Sequence, residues 1–136
     1  AMFLAVCRSP VSGLRSDQGF SVAKQDTIQI TVEEIPDGVV LSPQGEVDLA
    51  RSPSMRSQIA TAMKRSPKRI VIDLSGVPYM DSSGVATLVE ALQGSRRNGG
   101  RLLLCSLTTR VKSILEISRL DTVFTIVPDR AAALSA

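Results

Sequence analysis

The run Arg69-Ile70-Val71-Ile72-Asp73-Leu74 constrains the fold more than any other segment. Its apolar residues are consecutive rather than alternating, so a strand built from them must be covered on both faces. Helical patterns on either side can supply that cover. Upstream, Ser52-Pro53 is a start signal: a side-chain oxygen to cap, then a proline whose missing N–H costs nothing at a first turn. Met55, Ile59, Ala62 and Met63 follow at helical spacing, and Pro67 ends the run. Downstream, a helix is expected from about Ser82 to Arg97, with Val85, Leu88, Val89 and Leu92 on one face, and Asn98-Gly99-Gly100 breaks it. A second buried strand is expected from Arg101 to Ser106, and a third helix from about Thr109 to Ser118 through Val111, Ile114, Leu115 and Ile117. Val123 to Val127 is the last strand, and Pro128-Asp129 starts a short terminal helix.

Before all of these, Ile28, Ile30 and Val32 alternate with Gln29, Thr31 and Glu33, the period of a half-buried strand. Pro36-Asp37-Gly38 is turn chemistry and Val39-Val40-Leu41 a second strand, so the two predict a hairpin. Strands joined through helices lie parallel, because the crossover returns the chain to the same side of the sheet. The expectation is an α/β fold: one domain with a mixed sheet of four to five strands and about four helices.

The 136 residues suit one domain that needs neither disulfide nor metal to hold its core. Residues 27–136 carry the pattern. Residues 1–26 read as an N-terminal extension, rich in Ser, Gly, Arg and Gln, with Phe20-Ser21-Val22 as a candidate short edge strand. Ala1 ahead of Met2 reads as a remnant of cloning. Met2 to Cys7 is too short an apolar run for a secretion signal or a bilayer span, so a cytoplasmic protein with no membrane insertion is expected. Cys7 and Cys105 are too few for a disulfide framework or a zinc site, and Cys105, inside Leu102-Leu103-Leu104-Cys105, reads as a small core residue.

Of the net charge of +3, residues 1–25 carry +2, with Arg8, Arg15 and Lys24 against Asp17, and residues 26–136 hold 13 basic and 12 acidic side chains. The basic clusters Lys64-Arg65 with Lys68-Arg69 and Arg96-Arg97 with Arg101 flank helix ends, where cations complement the dipole and stay solvated. With three Phe, one Tyr and no Trp there is no stacking surface for single strands, and no direct nucleic-acid contact is expected. The chain has no histidine, which removes the commonest general base and metal ligand. Neither a Gly-x-Ser-x-Gly elbow nor a Gly-x-x-x-x-Gly-Lys loop occurs. No enzymatic activity, cofactor or metal is expected.

One stretch stands out, from Asp73 through Leu74-Ser75-Gly76-Val77-Pro78-Tyr79-Met80 to Asp81-Ser82-Ser83-Gly84. It leaves a buried strand and reaches a helix start crowded with hydroxyls and an acid. Ser82 or Asp81 is placed to cap that helix, a job these residues do in many helices without further function. Whether Asp48, Asp73 and Asp81 converge in space is not legible from spacing.

Gly45-Glu46-Val47-Asp48, Ile72-Asp73-Leu74, Tyr79-Met80-Asp81-Ser82-Ser83-Gly84, Asn98-Gly99-Gly100 and the Val111 to Leu120 helix pattern together resemble the STAS domain family, over about residues 27–135. The Asp-Ser-Ser-Gly segment resembles the stand-alone anti-sigma factor antagonist branch. That resemblance implies a binding module whose partner is an anti-sigma factor with serine kinase activity, reset by a serine phosphatase. It implies Ser82 as phosphoacceptor, Ser83 as second candidate, and Asp48, Asp81, Ser82, Ser83 and Gly84 as partner-binding residues. Where the family continues Gly-Leu-Gly, this chain has Gly84-Val85-Ala86, which bears on partner identity. Two other readings keep the fold: an adaptor subunit of a lipid-transport ATPase or signalling scaffold, and a small-molecule sensor using the helix N-terminus.

Overall fold

The computed structural model describes residues 27–136. Strands β1 (Gln29–Ile35), β2 (Gly38–Gln44), β3 (Arg69–Asp73), β4 (Arg101–Cys105) and β5 (Thr125–Val127) form one sheet in that spatial order. Helices α1 (Ser52–Met63), α2 (Ser82–Arg97), α3 (Thr109–Ile117) and α4 (Arg130–Ser135) connect and close it. The hairpin β1–β2 is antiparallel with Val32 opposite Leu41, and β2 to β5 run parallel, with Leu41 beside Ile72 and Ile72 beside Leu104. The hairpin turn needs Gly38, because a Cβ there would lie 1.7 Å from the carbonyl oxygen of Arg69 on the neighbouring strand.

The unbroken apolar run of β3 is covered on both faces, as expected. Ile70 and Ile72 join Val39, Leu41 and Leu104 in the larger core, against Met55 and Ile59 of α1, Leu88 and Leu92 of α2, and Val111 and Leu115 of α3. Val71 faces the other way, with Val40, Leu103, Cys105 and Ala133 of α4. Helix α4 is short and is held at both ends by arginines. Arg130 donates from Nη2 to Asp73 Oδ2 (3.0 Å) and Ser42 Oγ (2.9 Å), and from Nη1 to Glu33 Oε1 (2.7 Å). Arg69 donates to the carbonyls of Ala133 (3.0 Å), Leu134 (2.6 Å) and Ala136 (2.6 Å), the unpaired acceptors at a helix C-terminus.

Four expectations are corrected. Val32 is 57% exposed: among the described residues the side chains of α1 bond at Ile28, just before β1, where Ser54 Oγ accepts from its amide and Gln58 donates to its carbonyl, and the edge strand runs on past them. Ile117 is 81% exposed: Val111 and Leu115, one turn apart, define the buried stripe and Ile117 falls outside it. Ser52 is not the cap of α1; it lies inside the helix, its hydroxyl on the Leu49 carbonyl, while the turn before it is closed by Asp48. Arg69 is no solvated cation at a helix end but the clamp on α4, paired also with Asp37 at 3.3 Å. Phe20-Ser21-Val22 and Cys7 lie outside the described residues.

Candidate functional site

Two loops meet at the C-terminal edge of the sheet. Residues 45–51 leave β2 and run beside residues 76–81, which leave β3. Gly45 N donates to Gly76 O (2.8 Å), Val47 N to Tyr79 O (3.0 Å) and Asp81 N to Val47 O (3.0 Å), so Val47 and Met80 form a parallel bridge. Both side chains are fully buried. Because side chains alternate along extended backbone, their neighbours turn outward: Glu46 and Asp48 on one loop, Tyr79 and Asp81 on the other. The bridge explains Gly84. A Cβ there would stand 2.9 Å from both Met80 Cβ and Val47 Cγ1, so only glycine lets the first turn of α2 lie against the paired loops.

Asp81 is the N-cap of α2. Its Oδ1 accepts from Ser83 N (2.9 Å), from Gly84 N (3.3 Å) and from the Ser83 hydroxyl. Burial of the carboxyl works against ionisation, but these three bonds and one from the Leu49 amide outweigh it and hold the group below the usual carboxylate range. The cap therefore also ties the 45–51 loop to the helix. Ser83 is committed twice over, through its hydroxyl to Asp81 and its carbonyl to Thr87 Oγ1 (3.0 Å). Ser82, the first helical residue, is exposed, and its hydroxyl bonds to no described residue.

Asp48 stands half-buried on the adjoining loop and closes the turn into α1, accepting from Arg51 N at 2.9 Å. The structure thus brings Asp48, Asp81, Ser82, Ser83 and Gly84 together. Asp73 is not among them. It points to the opposite face of the sheet, where burial raises its pKa less than Ser75 and Arg130 lower it. Three residues at the site were not singled out from sequence: Leu49, 76% exposed; Tyr79, at the edge of exposure; and Arg110, whose guanidinium lies over the Tyr79 ring, 5.5 Å from its centroid. Exposed apolar side chains leave no periodicity to detect, and the Tyr79–Arg110 stack joins residues 31 positions apart. Among the described residues no group of three or more acidic or cysteine side chains is placed to hold a metal ion, and no helix is long and apolar enough to cross a membrane.

The STAS domain family matches residues 29–133, from the first strand into α4. The chain belongs to that family. Among its STAS relatives, the anti-sigma-F factor antagonist RsfA of Mycobacterium tuberculosis is 25% identical over 119 residues, covering 86% of this chain and 93% of that one. An anti-sigma F factor antagonist of Paenibacillus polymyxa is 27% identical over 109 residues, covering 79% of this chain and 93% of its own. The crystal structure of an anti-sigma factor antagonist from Mycobacterium paratuberculosis superposes with a TM-score of 0.74 at 26% identity, covering 81% of this chain and 93% of that one. In this STAS domain the paired loops and the start of α2 form one surface, on which Ser82 is exposed and its hydroxyl has no partner among the described residues.

Proposed function

We propose that this STAS domain is an anti-sigma factor antagonist. Unphosphorylated, it binds an anti-sigma factor that is also a serine kinase and thereby releases a sigma factor. Phosphorylation of Ser82 ends the interaction and a serine phosphatase restores it. The observation that carries the reading is the contrast between neighbouring serines: Ser83 is held by Asp81, whereas Ser82 is exposed and its hydroxyl has no partner among the described residues. The names of its relatives support the same role.

The chain is substrate and ligand here rather than catalyst. Ser82 Oγ attacks the γ-phosphorus of ATP held by the kinase, the bond to the β,γ-bridging oxygen breaks, ADP leaves, and the hydroxyl proton passes to a base on the kinase. The product adds about −1.5 to −2 charges at the first residue of α2, where the helix dipole tolerates an anion. Inside the fold the phosphate is therefore harmless. Against an acidic partner surface it costs several kcal/mol, and binding fails without unfolding. Sigma factor control with ATP as phosphoryl donor puts the protein in the cytoplasm.

Incubation with the serine-kinase anti-sigma factor and ATP, followed by mass spectrometry, is expected to find one phosphate on Ser82. Ser82→Asp is expected to lose the partner while melting within about 2 °C of the unsubstituted protein, since it adds an acid to a helix N-terminus. Phosphate on Ser83 alone, or a Ser82→Asp variant that loses binding only by unfolding, would overturn the proposal.

A further inference from the structure

Helix α3 breaks two local rules at the end that faces the Ser82 surface. Its N-cap Thr108 does not cap it; the hydroxyl donates instead to Val77 O at 2.8 Å, fastening α3 to the 76–81 loop. Its first turn holds no acid and carries Arg110 and Lys112, although a helix N-terminus favours negative charge. Lys112 lies about 200° round the helix from Arg110, clear of the loop. Arg110 pairs with no carboxylate among the described residues, and its one neighbour of note is the face of Tyr79. Local rules broken without an internal compensation mark places where function sets the residue.

The stack leaves the guanidinium well presented. The Tyr79 ring holds the cation over its face, and the guanidinium N–H groups meet no acceptor among the described residues, which leaves them for a bidentate carboxylate. Tyr79 belongs to the outward set of the paired loops, three residues before Ser82, and Leu49 extends the same loop pair with most of its side chain in water. Leu49 does not sit on a loose segment, since Val47 before it is bridged to Met80 and Asp48 closes the turn beside it. An aromatic, an arginine and an anchored aliphatic side chain are the composition of an interface centre rather than of an ordinary surface.

We infer that Arg110 stacked on Tyr79, together with Leu49, forms a second contact region continuous with Ser82, which grips an acidic side chain beside an apolar pocket on the anti-sigma kinase. The inference rests on the function proposed above and adds the partner's chemistry. An acidic partner surface accounts for both ends of the patch: it attracts Arg110 and rejects a phosphate on Ser82. Specificity among anti-sigma factors then depends on Leu49, Tyr79 and Arg110, while Ser82 supplies the switch.

The test is calorimetric titration of the purified kinase that phosphorylates Ser82 into unphosphorylated protein. Arg110→Glu is expected to weaken binding about 50-fold and Leu49→Ala about 10-fold, with a shallower salt dependence for Arg110→Ala than for the unsubstituted protein. Glu suits the first turn of α3, so the melting temperature of Arg110→Glu should hold or rise, an outcome that a structural role for Arg110 does not give. Arg110→Glu binding within twofold of the unsubstituted protein overturns this inference and leaves the proposed function standing. If the unsubstituted protein fails to bind the kinase at all, the proposed function falls and this inference with it.

Discussion

Asp73 and Asp81 stand at the two ends of one loop, and both carboxyls are held below the ordinary range, but by different partners. Asp73 is buried under α4 and shares Arg130 with Glu33 and Ser42. That cluster bonds one element to three strands, and every polar group in it answers another. Asp81 is held by amides and by Ser83 rather than by a cation paired with its carboxylate. The difference teaches what each face is for. Charge pairing fastens the α4 face shut, whereas amide capping on the α2 face fixes the backbone and leaves the Ser82 hydroxyl and the Arg110 guanidinium for something outside the chain.

The comparison breaks if damage to the α4 face reaches the site. Arg130→Ala strands the buried Asp73 carboxylate and is expected to cost about 2–3 kcal/mol, read from urea unfolding, with partner affinity unchanged when measured well below the transition. Asp73→Asn in the same chain should recover part of the loss, since the two residues act on one interaction. The pH dependence follows from the direction of the shift. A carboxyl with a depressed folded pKa contributes stability in full above its unfolded value of about 4 and loses it as pH falls through the lower folded value. Unsubstituted protein should therefore be flat from about pH 5 to 8 and weaken below about pH 4. In Arg130→Ala the burial that opposes ionisation of Asp73 goes unanswered by the arginine, so its decline should begin at higher pH. A decline at the same pH would remove Arg130 from the account.

Damage to the other face should do two things at once. Gly84→Ala places a methyl group against Met80 Cβ and Val47 Cγ1, neither of which can swing aside without moving the bridge. Alanine's gain in helix propensity, about 1 kcal/mol, is expected to be outweighed, for a net loss of about 1–2 kcal/mol. Because the displaced element is the 45–51 loop, partner affinity should fall as well, about tenfold or more. A variant as stable as the parent, with intact binding, would show that the loops part easily and that their pairing does not organise the surface.

Legibility from sequence differed between the same two regions. The sheet and the three larger helices were readable because apolar periodicity records which side of an element is buried: Met55 and Ile59, Leu88 and Leu92, and Val111 and Leu115 all face the core. The start of α2 was readable from the motif at Asp81-Ser82-Ser83-Gly84, but spacing left the cap open between Asp81 and Ser82. The structure gives the cap to Asp81, whose carboxylate accepts from Ser83 N and Gly84 N, and the Val47–Met80 bridge beside it joins residues 33 positions apart in two loops of no periodicity. The Arg69 and Arg130 clamps were invisible for a related reason. Each looks like any surface cation until the strand order puts carbonyls or carboxylates in its reach, and Arg69 sits in a basic run that resembles a solvated helix end.

The smallest expected effect is also the one that separates shape from charge. Asp48 has two roles to disentangle: its Oδ1 closes the turn into α1 through Arg51 N at 2.9 Å, and its charge stands on the outward side of the loop pair, near Ser82. Asn keeps an oxygen in the same place and removes only the charge, so Asp48→Asn should change stability by no more than about 0.5 kcal/mol. Ala removes the acceptor too and should cost about 0.5–1.5 kcal/mol, the usual net loss of one hydrogen bond. If the charge serves recognition by the kinase, Asp48→Asn should keep its melting temperature and still lose phosphorylation rate or affinity, and Asp48→Ala should lose no more of either once its stability is allowed for. If Asp48→Asn is phosphorylated and bound as the parent is, the carboxylate serves the turn alone. The outward charge of the loop pair would then count for nothing in recognition, leaving Ser82 with Leu49, Tyr79 and Arg110 as the surface the partner reads.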